Sequence, residues 1–511
     1  MASRYYGAEW RRLNARMLIL LPVQEVLRSL PLLLGLLVAG SSSGSGPEWS
    51  LIGAALAIGA GTLRWFTTTY RITSDQVQVR RGLLRRRTLT VLRDRIRTVD
   101  VTAHALHRVL GLARVSIGTG RSDRRDGGGL KLDGLSVQEA AQIRDVLLSK
   151  PAADTAAVAV DAGTADVELI RWHPAWIAYG PFTLSGIVTV LVAAGFGYRI
   201  LSAANLNPTR FGPIHALLHD VGRTSPVLVV LTIVALTVVV TIVFSTVGYV
   251  LAFWNFRLTR QASGTLHVSR GLVTTRAVTI DENRLRGIEF SEPLLLRAVG
   301  GARCIAIATG LRVGRGAERG GSMLLPPAPR MVAVAVAAAI LGDAGPIRTQ
   351  LIGHGPVARR RRYNRVLLVM VPLLTVLLVA WWLGGLPAWP WQVGLAALAA
   401  GLPLAADRFH SLGHAVVAGR LVTRSGSLAR RRGVLSADGI IGWNLGQSFF
   451  QRRSQLVTLT ATTAAGRQAY EVQDVGVAEA VRVAELLRPG LLAAFFEEPR
   501  PAPTRETAGQ L

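Results

Sequence analysis

The sequence predicts an α+β multi-pass membrane protein built from three two-helix transmembrane hairpins, each followed by a strand-rich module that closes in a short helix. Three observations predict it. The chain repeats itself: Tyr70-Arg71-Ile72-Thr73 and Phe256-Arg257-Leu258-Thr259 each follow a double apolar stretch, and Asp407-Arg408-Phe409 takes the same place a third time. Such a repeat sets the domain count before any motif is read. Half of the 511 residues are hydrophobic and the mean hydropathy is +0.36, yet the net charge is +27, a pairing that suits a membrane protein whose exposed parts face anionic lipid. Between the apolar stretches the pattern switches to period two, as in Gln76-Val77-Gln78-Val79-Arg80, the mark of a half-buried strand.

Six stretches have the length and hydropathy to cross a bilayer core, which takes about 20 apolar residues: 17–40, 49–66, 175–201, 227–253, 366–383 and 391–406. The last is short and carries Pro403; Pro22 and Pro31 in the first are tolerated where neighbouring helices satisfy the freed backbone groups. Arg4, Arg11, Arg12 and Arg16 precede the first stretch, and Arg359 to Arg362 with Arg365 precede or open the fifth. Loops 41–48 and 384–390 have no Lys or Arg, while loop 202–226 has Arg210 and Arg223. The positive-inside rule then sets both termini and all three modules in the cytoplasm. Trp49, Trp65, Trp254 and Trp391 are among the indoles near stretch ends, where they anchor at the headgroup boundary. No signal peptide is expected, since 1–16 is polar and basic and no small-residue cleavage site follows.

Glu25 and Arg28 lie inside the first stretch and are the candidate intramembrane ion pair, three residues apart on one helix face. The plainer account is an interfacial first helix from which Arg28 snorkels to the headgroups. It fits the lack of any other ionisable residue at comparable depth from which to build a relay.

In the first module, strands at 76–80 and 87–91 flank a turn at Gly82, a second pair follows at 96–101 and 113–119, and 135–148 forms an amphipathic helix with Ser136 as its N-cap. The second module repeats the spacing. Leu285 stands fourteen residues after Gly271, as Ile96 does after Gly82, and Arg297 follows twelve later, as Arg108 does. Gly426, Ile440 and Arg452 keep these intervals in the third. Closing helices are expected at 331–341 and 477–487.

The run from Tyr70-Arg71-Ile72-Thr73 through Val79-Arg80-Arg81-Gly82-Leu83-Leu84 to Leu106-His107-Arg108-Val109-Leu110-Gly111-Leu112-Ala113-Arg114 follows a two-span hairpin. It resembles the membrane-anchored bacterial pleckstrin-homology domain family in a three-copy form. The resemblance implies a pleckstrin-homology-like bent antiparallel sheet with a C-terminal helix in each module, and a bacterial plasma membrane location. It divides the chain into hairpins at 1–69, 169–255 and 346–406, modules at 70–150, 256–345 and 407–490, a linker at 151–168 and a tail at 491–511. Similarity to lipid-binding members singles out Arg80, Arg81, Arg85, Arg86 and Arg87, around the first turn, as candidates for an anionic headgroup contact. The plainer account, and the favoured one, makes these arginines the solvated positive flank of a tethered domain, in a module with seventeen Lys/Arg against eight Asp/Glu.

No Walker, zincin or nucleophile-elbow motif is present, so no enzyme and no cofactor are expected. His215 and His219 lack a third ligand, His104 and His107 have no counterpart in the second module, and the single Cys304 excludes an intrachain disulfide. The expected role is a scaffold presenting its modules at the inner leaflet to anionic lipid or to a related membrane-anchored protein. A transporter or channel component formed by the six spans is the alternative. Nucleic-acid binding is not expected of modules tethered to a membrane and without an aromatic stacking platform.

Overall fold

The computed structural model describes residues 9–41, 46–73, 75–82, 86–96, 98–118, 130–148, 166–183, 195, 226–311 and 322–491. The first copy opens with β1 (Arg11–Arg12) and the hairpin α1 (Met17–Ser41) and α2 (Gly46–Thr67). Strands β2 (Thr69–Ile72), β3 (Gln76–Arg81) and β4 (Arg87–Leu92) follow, then a 3-10 turn, β5 (Thr98–Ala103), the short helix α3 (Ala105–Val109), β6 (Leu112–Gly118), β7 (Leu130–Ser136) and the closing helix α4 (Val137–Leu148). The second copy runs β8 (Val167–Arg171), a 3-10 segment (Pro174–Phe182), α5 (Pro226–Phe253), β9 (Arg257–Gln261), β10 (Thr265–Arg270) and β11 (Thr275–Asp281). It continues through β12 (Leu285–Pro293), α6 (Leu294–Ala298), β13 (Gly301–Ala308), β14 (Met323–Pro329) and α7 (Arg330–Leu341). The third begins with α8 (Gly345–Arg348), the hairpin α9 (Gly355–Trp382) and α10 (Trp389–His410), then β15 (Gly413–Val417), β16 (Arg420–Ser425) and β17 (Ala429–Ser436). It ends with β18 (Gly442–Gly446), α11 (Phe449–Arg453), β19 (Leu456–Thr462), β20 (Ala469–Gly476) and α12 (Val477–Leu487).

The molecule is thus α+β with antiparallel sheets, but the membrane part differs from the six expected spans. Three helices among the described residues are long and apolar enough to cross a membrane: Glu48–Thr67, Val234–Phe253 and Gly355–Trp382. α10 is rich in Ala and Gly and carries Asp407 and Arg408 near its end, while the side chains of most of the second half of α1, and most of 175–201, lie outside the described residues. α1 still packs along α2, and α10 along α9. The first turns of α1 belong to the module: Met17, Leu20 and Leu21 are buried with Val77, Val115 and Leu132 in its core.

The sheets also depart from expectation. In place of one bent sheet per module, each module splits at its 3-10 turn into two half-sheets, and the halves fuse between neighbours. β7-β6-β5 of the first module continue into β11-β10-β9-β8 of the second, and β14-β13-β12 of the second into β17-β16-β15 of the third. The physical cause is the edge. A strand that ends a sheet leaves a row of backbone N–H and C=O groups unpaired, and the adjoining module's outer strand satisfies them. At the first seam Thr279 faces Val99, and Arg284 Nη1 donates to the Ile96 carbonyl at 2.7 Å. At the second, Ile288 faces Val434, and Arg431 sits 3.5 Å from buried Glu289. The hairpin turn before each outer strand needs its glycine: a Cβ on Gly271, at φ +110°, would meet the Thr274 carbonyl oxygen at 2.0 Å.

Candidate membrane-surface site

The short helices α3, α6 and α11 occupy one position in the three modules, and each packs near the start of an apolar helix or, in the second copy, beside the 3-10 segment 174–182. Arg16, just before α1, donates from Nη1 to the Leu110 carbonyl at 2.8 Å at the end of α3. Tyr179 packs beside Gly301 and Leu296 next to α6. Arg361, in the second turn of α9, donates to Ser448 Oγ at 3.0 Å at the head of α11. Each short helix, with the residue that caps α6, exposes large apolar residues there: Leu106 and Val109, Leu295 and Val299, Phe449 and Phe450.

The third position forms a groove. α11 starts in a capping box, in which Ser448 N–H donates to Gln451 Oε1 at 2.9 Å and Gln451 N–H to Ser448 Oγ, so its first residues are held firmly. Phe449 and Phe450 project outward edge to face, 74 % and 58 % exposed. The opposite wall is the base of α9, whose arginines divide. Arg361 and Arg362 turn inward onto buried Asp474, Arg362 Nη2 at 2.6 Å, while Arg360 and Arg365 stay exposed. With Arg453 these line an open cavity of about 1230 Å³ that no carboxylate lines. An anion bearing an apolar chain fits such walls. Each exposed cation near a charged leaflet contributes about 1 kcal/mol, within a Debye length of about 8 Å.

The turn arginines singled out in the sequence are placed differently. Arg80 lies over the Trp10 ring at 4.3 Å. Arg81 donates to the Lys131 carbonyl, and burial, first, lowers its pKa, with Asp133 opposing. Arg87 pairs with Arg81 across β3 and β4 and is exposed, Arg86 is exposed, and Arg85 lies outside the described residues. Glu25 meets Arg64 of α2 at 3.1 Å instead of Arg28, which is exposed. The partner lies across the hairpin because α1 starts in the core of the module, which sets Glu25 level with the last turn of α2. The His104 and His107 rings lie tilted to each other with centroids 5.6 Å apart, and burial, first, pushes the His107 pKa down to about 4. His215 and His219 lie outside the described residues, and no metal-holding cluster is found among the described ones.

The groove was missed because its walls are 90 residues apart, although paired phenylalanines in an otherwise polar connector were a usable signal.

Comparison with known sequences bears on the same modules. The family described as Bacterial PH domain matches residues 19–151 and 332–490, together more than half of the chain. The chain belongs to the bacterial PH domain family. Both matched segments take in a hairpin, its module and the closing helix; the middle copy is unmatched, yet its strands keep the same order and register as in the other two bacterial PH copies. A transmembrane protein of Bacillus subtilis (strain 168), UPF0699 transmembrane protein YdbT, is 22 % identical over 258 residues, covering 48 % of this chain and 50 % of that protein. The chain thus spans about half the length of the curated relative it matches. No solved structure matches.

Proposed function

We propose that this bacterial PH domain protein is a non-enzymatic scaffold that holds its three modules against the inner leaflet of the plasma membrane and binds anionic lipid headgroups there, presenting the array to protein partners such as a related membrane-anchored protein. One observation carries the reading: Arg360, Arg365 and Arg453 surround a carboxylate-free groove whose other wall is the exposed Phe449–Phe450 pair, at the foot of a helix apolar enough to span a membrane. Cations beside exposed aromatic rings suit a phosphate attached to acyl chains. The arginine-rich flanks favour a cytoplasmic orientation.

The test uses the full chain, because β5 of the first module lies in the same sheet as β11 of the second and an isolated module would lose that pairing. Purified protein in nanodiscs of zwitterionic lipid doped with an anionic phospholipid is released and weighed by native mass spectrometry. Retained anionic lipid in the wild type, lost on replacing Arg360, Arg365 and Arg453 by Gln, is the expected result. Equal retention by the two proteins sinks the site.

A further inference from the structure

Among the described residues, two strands in the array lack the partner that their counterparts have. β11 and β17 each pair on both sides, with the preceding strand of their own module and with the neighbouring module. Their counterpart β4 pairs with β3 alone among the described residues. β5 and β12 likewise pair on both sides, whereas among the described residues β18 pairs with β19 alone. Exposure follows the same division. Val278 on β11 is 3 % exposed but its counterpart Leu89 on β4 is 54 %; Phe290 on β12 is 4 % but Leu445 on β18 is 38 %. Neither edge carries a proline or a bulge, and β18 carries no charge, so little guards it against strand addition.

The two formed seams obey one rule. Thr279, eight residues after Gly271, faces Val99, seventeen after Gly82. Val434, eight after Gly426, faces Ile288, seventeen after Gly271. Applied to the two open edges, the rule sets Thr90 opposite Trp443, and with it Arg87 opposite Gly446, Thr88 opposite Leu445 and Val91 opposite Gly442. That register covers β18 end to end and falls wholly within β4. The short helices supply a second sign. Arg108 of α3 donates across the first seam to the Leu272 carbonyl, and Arg297 of α6 pairs across the second with Asp407 at 2.9 Å. Arg452 of α11 stands at the same position, exposed.

We infer that β18 of one chain adds to β4 of a second copy of this chain, forming a third seam in the register of the first two. A second copy is the occupant because this chain carries both halves of the joint, already matched in length and spacing. A head-to-tail joint also repeats the relation between adjacent modules, so it keeps both copies in one membrane orientation, and two such joints close a ring. Confinement to one bilayer raises the effective concentration for the addition. The inference does not rest on lipid binding.

Cysteine crosslinking tests it. Facing residues in antiparallel strands have Cα atoms about 4.5–5.5 Å apart, within disulfide reach, and the native Cys304 is buried and silent. Full-length Thr88→Cys with one tag and Leu445→Cys with another are co-expressed and oxidised in the membrane. Thr88→Cys with Asn444→Cys, one residue out of step and on the opposite face, is the control. The expected product carries both tags at twice the 54.7 kDa chain mass, severalfold stronger in register than out. In nanodiscs drawn from native membranes, the mass of the Leu445→Asp variant should fall to half that of the wild type, at a site exposed enough for the fold to survive. A two-tag product no stronger than the control, a Thr88–Thr88 product dominating, a disulfide to a different protein, or a wild type at one-copy mass would each overturn the inference.

Discussion

Replacing Asp474 with Asn asks how the third hairpin is fastened to its module. Asp474 is 1 % exposed, takes Arg362 Nη2 at 2.6 Å and Arg361 on its other oxygen, and accepts from Gln451 Nε2 at 2.9 Å. Its φ is +57°, a conformation Asn adopts as readily as Asp, so the change removes charge without adding backbone strain. Breaking a buried pair by removing one partner costs about 3–5 kcal/mol, because the other charge is left uncompensated. Here two guanidiniums remain, their side chains 8 % and 2 % exposed. Two hydrogen bonds survive, Arg361 to Ser448 and Arg362 to Gln473 Oε1 at 3.3 Å, which together hold the cost near the lower end, about 3 kcal/mol. Hydrogen exchange in β19 and β20 reads this directly: opening should become about a hundredfold more frequent. Acceleration under about fivefold, roughly 1 kcal/mol, would refute the claim that this pair fastens α9 to the module.

Two further changes probe the seams and the acid limit. Gly287 lies in the second seam at φ +156°, and a Cβ there would meet the Val434 carbonyl oxygen at 1.9 Å. Gly287→Ala should therefore speed exchange across both β12 and β17 while leaving β5 and β11 unchanged; protection retained in β17 would mean the seam yields without opening. His354 bonds through Nδ1 to the Gln473 carbonyl at 2.6 Å and through Nε2 to His414 at 3.0 Å, and burial, first, pushes its pKa down to about 4 against the Gln473 hydrogen bond. A folded pKa below the unfolded value near 6.5 means the neutral ring stabilises the fold above that pH. The contribution is lost as pH falls from about 6.5 to 4, by at most about 3 kcal/mol. Thermal unfolding of wild type across this window should show that decline, and His354→Gln should flatten it; an unchanged slope would assign the acid sensitivity to other groups.

The strands and closing helices were legible because each has a period of its own. Val77 and Val79 alternate with polar neighbours and are buried, and Ala480, Val483, Ala484 and Leu487 fall on one buried face of α12. Burial depth of a helix was not legible. Met17, Leu20 and Leu21 read as the start of a membrane span, yet they fill the core of the first module, since a lipid-facing and a core-facing leucine look alike in sequence. With α1 starting in that core, Glu25 meets Arg64 of α2 and not Arg28. The candidate groove was hidden for a different reason: its cations were visible, but which arginines turn inward depends on Asp474, more than 100 residues later.

Strand pairing between modules is the part that no periodicity could announce. Alternation reports which face of a strand is buried, whereas the seam is made by N–H and C=O groups that are the same at every residue. The repeat nevertheless contains the ruler, since both seams keep one count from the turn glycine. Three modules joined head to tail make two seams, and they necessarily leave one β4-type edge at one end and one β18-type edge at the other. Folding the array back on itself would cover both edges. The exposure of Leu89 and Leu445 shows that it has not done so, and a terminal repeat that merely ends an array is usually given a polar outer face. An exposed apolar residue on each open edge, in strands whose spacing already matches, is what an array built to continue into another molecule would leave.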